Sequence, residues 1–168
     1  MPDKKFLFVS IDGLIADIAW QVLKEGNAVK LFVESQSERE IADGFVPKTD
    51  NWEKDVSWAD VIVFDDVLGQ GAKAAALRAK GKLVVGGSAY TDKLEDDRAF
   101  GQQELKAAGV TIIPQDNFTS FTDAIAFVKA NPNRYVIKPS GAAQNLKQLL
   151  FVGEDEDGKD VIQVLEDY

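Results

Sequence analysis

The sequence predicts an α/β fold, a mainly parallel sheet with helices on both faces. Three observations lead to it. Four short runs, Phe6-Leu7-Phe8-Val9, Ala28 to Val33, Val61 to Phe64 and Leu83-Val84-Val85, are nearly continuous in apolar residues. They alternate with segments of helical spacing, and glycines punctuate the changeovers at Gly13, Gly26, Gly81 and Gly86. Strands apolar at successive positions are buried on both sides, which is the condition of a parallel sheet covered twice. Residues 1–92 therefore read as a doubly wound, Rossmann-like domain.

In order along the chain, Phe6 to Ser10 is the first strand and Asp12-Gly13 the turn that follows. Leu14, Ile15, Ile18, Ala19, Val22 and Leu23 recur at helical spacing until Gly26 stops the helix. Ala28 to Val33 supplies the second strand, and Glu34 to Asp43 reads as a polar helical segment. Gly44 to Trp58 carries no assignable pattern. Val61 to Phe64 is the third strand and ends in Asp65-Asp66; an alanine-rich helix from Gly69 to Lys80 and the strand Leu83 to Val85 complete the unit.

After Gly86-Gly87-Ser88 the pattern changes. Lys93 to Ala108 reads as one long charged helix, Val110 to Ile113 as a short strand, and Ser120 opens a helix closed by Asn131-Pro132-Asn133. Tyr135 to Lys138 is a β-branched and aromatic run expected inside a sheet. A polar loop from Ser140 to Lys147, a strand at Leu149 to Val152, an acidic turn at residues 153–158 and an amphipathic segment from Val161 to Tyr168 follow. From Thr111 onward too few residues remain for a generous independent core.

Composition narrows the chemistry. The 168 residues are 45% hydrophobic and 28% charged with a formal net charge of −9, which argues against a nucleic-acid partner bound through a broad basic surface. Cysteine and histidine are absent, so disulfides, thiolate or imidazole metal sites and histidine general bases are excluded. Chemistry is left to carboxylates, lysine, arginine, backbone dipoles and Mg²⁺. The apolar stretch after Lys4-Lys5 is interrupted at Asp12 and no run approaches the length of a membrane span, so the expected location is the cytoplasm, without a membrane partner.

Lys138 draws attention because it stands where an apolar strand ends, ahead of Pro139, Ser140 and Gly141. A lysine there either reaches water or meets an anion such as a phosphate. The turn Ser10-Ile11-Asp12-Gly13 lies where open α/β sheets bind anions, although it has one glycine and lacks the dinucleotide spacing. An ordinary structural turn and a sugar-phosphate site both remain open. Asp12, Asp65, Asp66 and Lys138 together also fit a receiver-like signalling domain, against solvated carboxylates at strand ends. Arg98, inside Asp96-Asp97-Arg98-Ala99-Phe100, belongs to a salt-bridged outer face or offers a bidentate fork to phosphate.

In order, Gly86-Gly87-Ser88, Lys93 to Phe100, Gly109-Val110, the helix from Phe121, and Tyr135-Val136-Ile137-Lys138-Pro139-Ser140-Gly141 resemble the ATP-grasp ligases, with phosphoribosylamine–glycine ligase as the nearest type. Val9 to Trp20, including Gly13 and Ala19-Trp20, is similar to that family's first turn and helix. The resemblance implies a pre-ATP-grasp Rossmann-like domain followed, over residues 93–168, by a connecting helix and the start of an ATP-grasp α+β subdomain. It implies that Arg98 and Lys138 contact ATP phosphates, that Ser140 and Gly141 begin the loop over them, and that Asp12 and Gly13 face the phosphoribosyl substrate. It further implies an ADP-forming enzyme of purine biosynthesis that uses Mg²⁺, ATP, an amine and a carboxylate such as glycine.

The sequence also departs from the family. Leu14-Ile15-Ala16 replaces the glycine-rich turn and the Arg-Glu-His that follow in the family, and Gly141-Ala142-Ala143-Gln144-Asn145 is poorer in glycine. The adenine hinge and the Mg²⁺-binding residues would belong to sequence after Tyr168, so the chain is expected to be an inactive N-terminal portion. A complete non-catalytic binding module is the alternative.

Overall fold

The structure, a computed structural model, describes residues 4–65, 69–143 and 146–168. The chain divides into two compact units, Met1–Glu95 and Asp96–Tyr168.

The first unit contains β1 (Lys5–Ser10), α1 (Ala16–Lys24), β2 (Ala28–Val33), α2 (Trp52–Asp55), β3 (Val61–Phe64), α3 (Gly71–Ala79), β4 (Leu83–Val85) and α4 (Ala89–Asp96). Its four strands run parallel in the order β2-β1-β3-β4. Alternate residues sort into two cores, one on each side of the sheet. Leu7, Val9, Ile62 and Phe64 pack with Ala74 and Leu77 of α3, and Trp52 and Trp58 pack against this group. Phe8, Val29, Leu31, Val33 and Val63 pack with Ala19 of α1 on the other side. Burial from both sides is why these strands read as unbroken apolar runs, and the predicted parallel sheet covered by helices is the observed one.

β4 lies at the edge of this sheet. Arg78 reaches from α3 to donate to the carbonyls of Val84, Gly86 and Gly87. Those three acceptors are thereby withheld from any further strand, one way in which sheet edges are kept from pairing.

Several local expectations need correction. Glu34 to Asp43 holds only a 3₁₀ turn at Gln36–Glu38, because this polar segment has no apolar stripe with which to pack a helix. Gly44 to Trp58, unassigned from sequence, is ordered by a parallel bridge between Leu31 and Lys48 and by α2, whose N-cap Asn51 accepts from the Lys54 N–H at 3.1 Å. The single helix expected from Lys93 to Ala108 is two helices. α4 starts earlier, where Ser88 and Thr91 cap each other, and it ends at Asp96. Asp97 leaves helical geometry and accepts the Phe100 N–H at 3.0 Å, opening α5 (Arg98–Ala107). Val110 to Ile113 joins neither sheet, and Ile113 is 86% exposed.

The second unit contains α5, α6 (Phe121–Ala130), β5 (Val136–Ile137), β6 (Phe151–Val152) and α7 (Lys159–Asp167). Ser120 caps α6 by accepting the Asp123 N–H. Ala124 and Val128 of α6 and Val161 and Leu165 of α7 form the core, with Tyr135, Ile137 and Phe151 packed on it. The strands expected over Tyr135 to Lys138 and Leu149 to Val152 contract to two residues each, paired antiparallel and apart from the four-stranded sheet. The loop after Lys138 contains 3₁₀ turns at Gly141–Ala143 and Lys147–Leu149; Gln144 and Asn145 lie outside the described residues. Among the described residues no helix is long and apolar enough to cross a membrane.

Candidate functional site

In the second unit the β5–β6 ladder has one covered side and one open side. Val136 pairs with Val152 and Ile137 with Phe151. Ile137 and Phe151 face the helices, so alternation turns Val136 and Val152 the other way. Val136 is 52% and Val152 57% exposed, and Leu150, just before β6, is 48% exposed. Lys138, two residues beyond Val136, is exposed, as are Ser140 and Gly141. No hydrogen bond or ion pair engages the Lys138 ammonium among the described residues. Gly141 has φ +62 and starts the 3₁₀ turn, a left-handed backbone that favours glycine there. An apolar platform ending on a cation and a glycine turn suits a ligand with a flat ring at one end and phosphate at the other.

Arg98 is the first residue of α5, next to the capping carboxylate of Asp97. Its Nε and the Gln102 Oε1 are both buried without a hydrogen-bond partner among the described residues. These residues are four apart and so share a helix face. An orphaned guanidinium N–H fits a phosphate oxygen, which would remove the cost of leaving it unpaired. α5 contributes no residue to the α6–α7–ladder core, so that core does not bring Arg98 and Lys138 together.

The turn after β1 is tightly bonded. Gly13 has φ +76, and its N–H donates to Ser10 Oγ at 2.7 Å. Ser10 is buried, and its hydroxyl donates to Asp65 Oδ2 at 2.7 Å. The same carboxylate oxygen accepts the Ile15 N–H at 3.1 Å. Asp65 directly follows β3, so the carboxylate bridges the two strand ends where an open α/β sheet has its binding crevice. The expectation of a solvated carboxylate fails for Asp65, which is partly buried and bonded across the sheet. Asp12 is exposed beside it, and Asp66 lies outside the described residues. Lys138 follows the separate two-stranded ladder rather than a strand of the parallel sheet, which removes the receiver arrangement.

Two shallow depressions of about 200 and 240 Å³ flank Phe32 and Asp50 at the end of β2. They contain no predicted site residue, and Lys48 beside one of them is held by Asp43 and the Arg39 carbonyl. Among the described residues no three carboxylates gather to hold a metal ion. The described residues therefore do not fit a Mg²⁺ site of their own.

Two solved structures are similar. N5-carboxyaminoimidazole ribonucleotide synthetase from Thermotoga maritima superposes with a TM-score of 0.63 at 14% identity, over 94% of this chain and 43% of that one. N5-carboxyaminoimidazole synthetase from Staphylococcus aureus, solved in complex with ADP, gives 0.63 at 16% identity, over 99% and 45%. Both are ATP-grasp enzymes. This chain shares their fold. It spans less than half the length of either, and neither is the glycine ligase that the sequence resemblance suggested. No protein-family model and no curated protein matches the sequence.

Sequence reasoning singled out Lys138, Ser140 and Gly141 but not the exposed apolar face before them. The signal was present: in a two-stranded ladder Val136 and Val152 share the side opposite Ile137 and Phe151. The role of Asp65 had no local signal, because its partner Ser10 is far away along the chain.

Proposed function

We propose that this chain is the N-terminal portion of a cytoplasmic ATP-grasp ligase, ADP-forming and of the purine-biosynthetic type, which joins a carboxylate to an amine. The observation that carries this reading is the open Val136–Val152 face ending on the ammonium of Lys138, which has no partner among the described residues. The nucleotide ring lies on that face, Lys138 and Arg98 neutralise phosphate charge, and Ser140 and Gly141 line the turn beside the phosphates. Asp12 and Gly13 belong to the surface that meets the second substrate. Shared fold with two synthetases, one of them solved with ADP, supports the assignment to this class. Phosphoribosylamine–glycine ligase is the specific type that the sequence motifs favour.

When bound, ATP supplies the phosphoryl group that activates a carboxylate for attack by an amine. The contribution of this chain is electrostatic: fixed cations stabilise charge that develops on the transferred group without reorganising during the step. With no metal cluster among the described residues, the chain alone is expected to bind nucleotide with a dissociation constant of about 1 mM or weaker, roughly 4 kcal/mol of binding free energy.

Titration of ADP into the isotope-labelled chain tests this. Saturating methyl shifts at Val136 and Val152, reduced by Val136→Asp in a chain that keeps its circular dichroism, are the expected result. Shifts confined to other residues would remove the ladder from the site. A micromolar constant for Mg-ATP would contradict the incomplete site.

A further inference from the structure

The proposed second-substrate surface contains a feature that limits what it accepts. The N-terminus of α1, after a turn at the carboxyl end of β1, is a position where α/β sheets commonly hold phosphate on backbone N–H groups. In this chain three of the donors at that position are already used. The Ile15 N–H and the Ser10 hydroxyl both donate to Asp65 Oδ2, at 3.1 and 2.7 Å, and the Gly13 N–H donates to Ser10 Oγ at 2.7 Å. Each of these three donors therefore points, directly or through Ser10, at one carboxylate that directly follows the neighbouring strand β3.

We infer that Asp65 is a specificity-determining residue that occupies the anion position of this crevice and excludes phosphate from it. A phosphate arriving there would meet a fixed negative charge, with the exposed carboxylate of Asp12 adding a second, and would find those three donors engaged. A hydroxyl or an amine meets the opposite situation, because carboxylate oxygens accept from either. The group that approaches this turn is thus neutral or cationic, and any phosphate on the same substrate is held elsewhere. Identifying that group with the second substrate rests on the ligase reading; exclusion of phosphate does not.

The experiment uses inorganic phosphate as the probe, titrated into the labelled 168-residue chain, with the amide shifts of Gly13 and Ile15 as readout. Wild-type chain is expected to give no saturating shift at either amide. Asp65→Ala frees the Ser10 hydroxyl and the Ile15 N–H beside the positive end of α1, and is expected to bind phosphate at least tenfold more tightly. Asp65→Asn retains the side-chain size and loses the charge, and is expected to fall between the two. A purely structural carboxylate would give variants that are less stable and gain no phosphate affinity.

Saturable binding to wild type at Gly13 and Ile15 as tight as in the variants overturns the inference, and so does a folded Asp65→Ala that gains nothing. Should Asp65→Ala fail to fold, the wild-type and Asp65→Asn titrations decide by the same comparison. Loss of the ADP response at Val136 and Val152 would sink the ligase reading and leave the phosphate result standing, since the two titrations read different residues.

Discussion

Asp55→Asn removes one charge from the link that fastens α2 to β2. The Asp55 carboxylate accepts from Lys30 Nζ at 2.5 Å and from Thr49 Oγ1 at 2.6 Å, and Lys30 Nζ lies 4.7 Å from the centroid of the Trp58 ring. The pair is partly shielded, with 32% of the Lys30 and 15% of the Asp55 side chain exposed. Hydrogen bonds to charged groups contribute about 1.5–3 kcal/mol, whereas exposed ion pairs contribute about 0–1 kcal/mol. Intermediate shielding therefore places the loss near 1.5–2 kcal/mol at neutral pH, about 3–8 °C in Tm for a chain of this size.

The pH dependence supplies an independent check on the same pair. The Lys30 hydrogen bond, then that of Thr49, holds the Asp55 carboxyl below its ordinary value. A carboxyl depressed in the folded state contributes fully above its unfolded value, about 3.9, and loses that contribution as pH falls through the folded one. The gap between wild type and Asp55→Asn should thus be flat from about pH 5 to 8 and close below about pH 4. Urea titrations followed by tryptophan fluorescence measure it, with Trp52 and Trp58 packed close by. A gap under about 0.5 kcal/mol at pH 7, or one that stays constant to the acid limit, would refute the reasoning.

Two further outcomes follow from the geometry. In a ligase that carries this chain, Lys138→Ala should lower kcat/KM by an amount equivalent to about 2–4 kcal/mol, the range for one preorganised charge donor; kinetics within twofold of the parent would take Lys138 out of the site. Gly71→Ala should destabilise by about 1–3 kcal/mol despite alanine's better helix propensity, because the new Cβ would stand 2.2 Å from the Ser88 carbonyl oxygen. An unchanged or raised Cm for that variant would mean that the residue 88–92 segment yields more easily than its bonds to α3 suggest.

What could be read from the sequence follows the range of the interactions involved. β1 to β4 were legible because burial on both faces leaves its mark residue by residue in Leu7-Phe8-Val9 and Ile62-Val63-Phe64. The break at Asp97 was legible in principle, since a capping aspartate three residues before Phe100 is a local motif, but the surrounding charges concealed it. Gly44 to Trp58 was not legible: its order comes from Leu31 bridging Lys48 and from Lys30 pairing with Asp55, partners set far apart along the chain.

The same distinction separates the candidate residues of the two units, each taken by itself. Lys138 with its glycine turn is contiguous and could be singled out from sequence, whereas the carboxylate of Asp65 reaches across 50 residues to the Ile15 N–H and 55 to the Ser10 hydroxyl. A local motif therefore leaves the turn open between a structural turn and an anion site, and a long-range contact is the ground on which we infer that phosphate is excluded. For that reason the phosphate titration at Gly13 and Ile15 weighs more on substrate class than the turn sequence does: a motif reports which donors exist, while the fold decides whether they are still available.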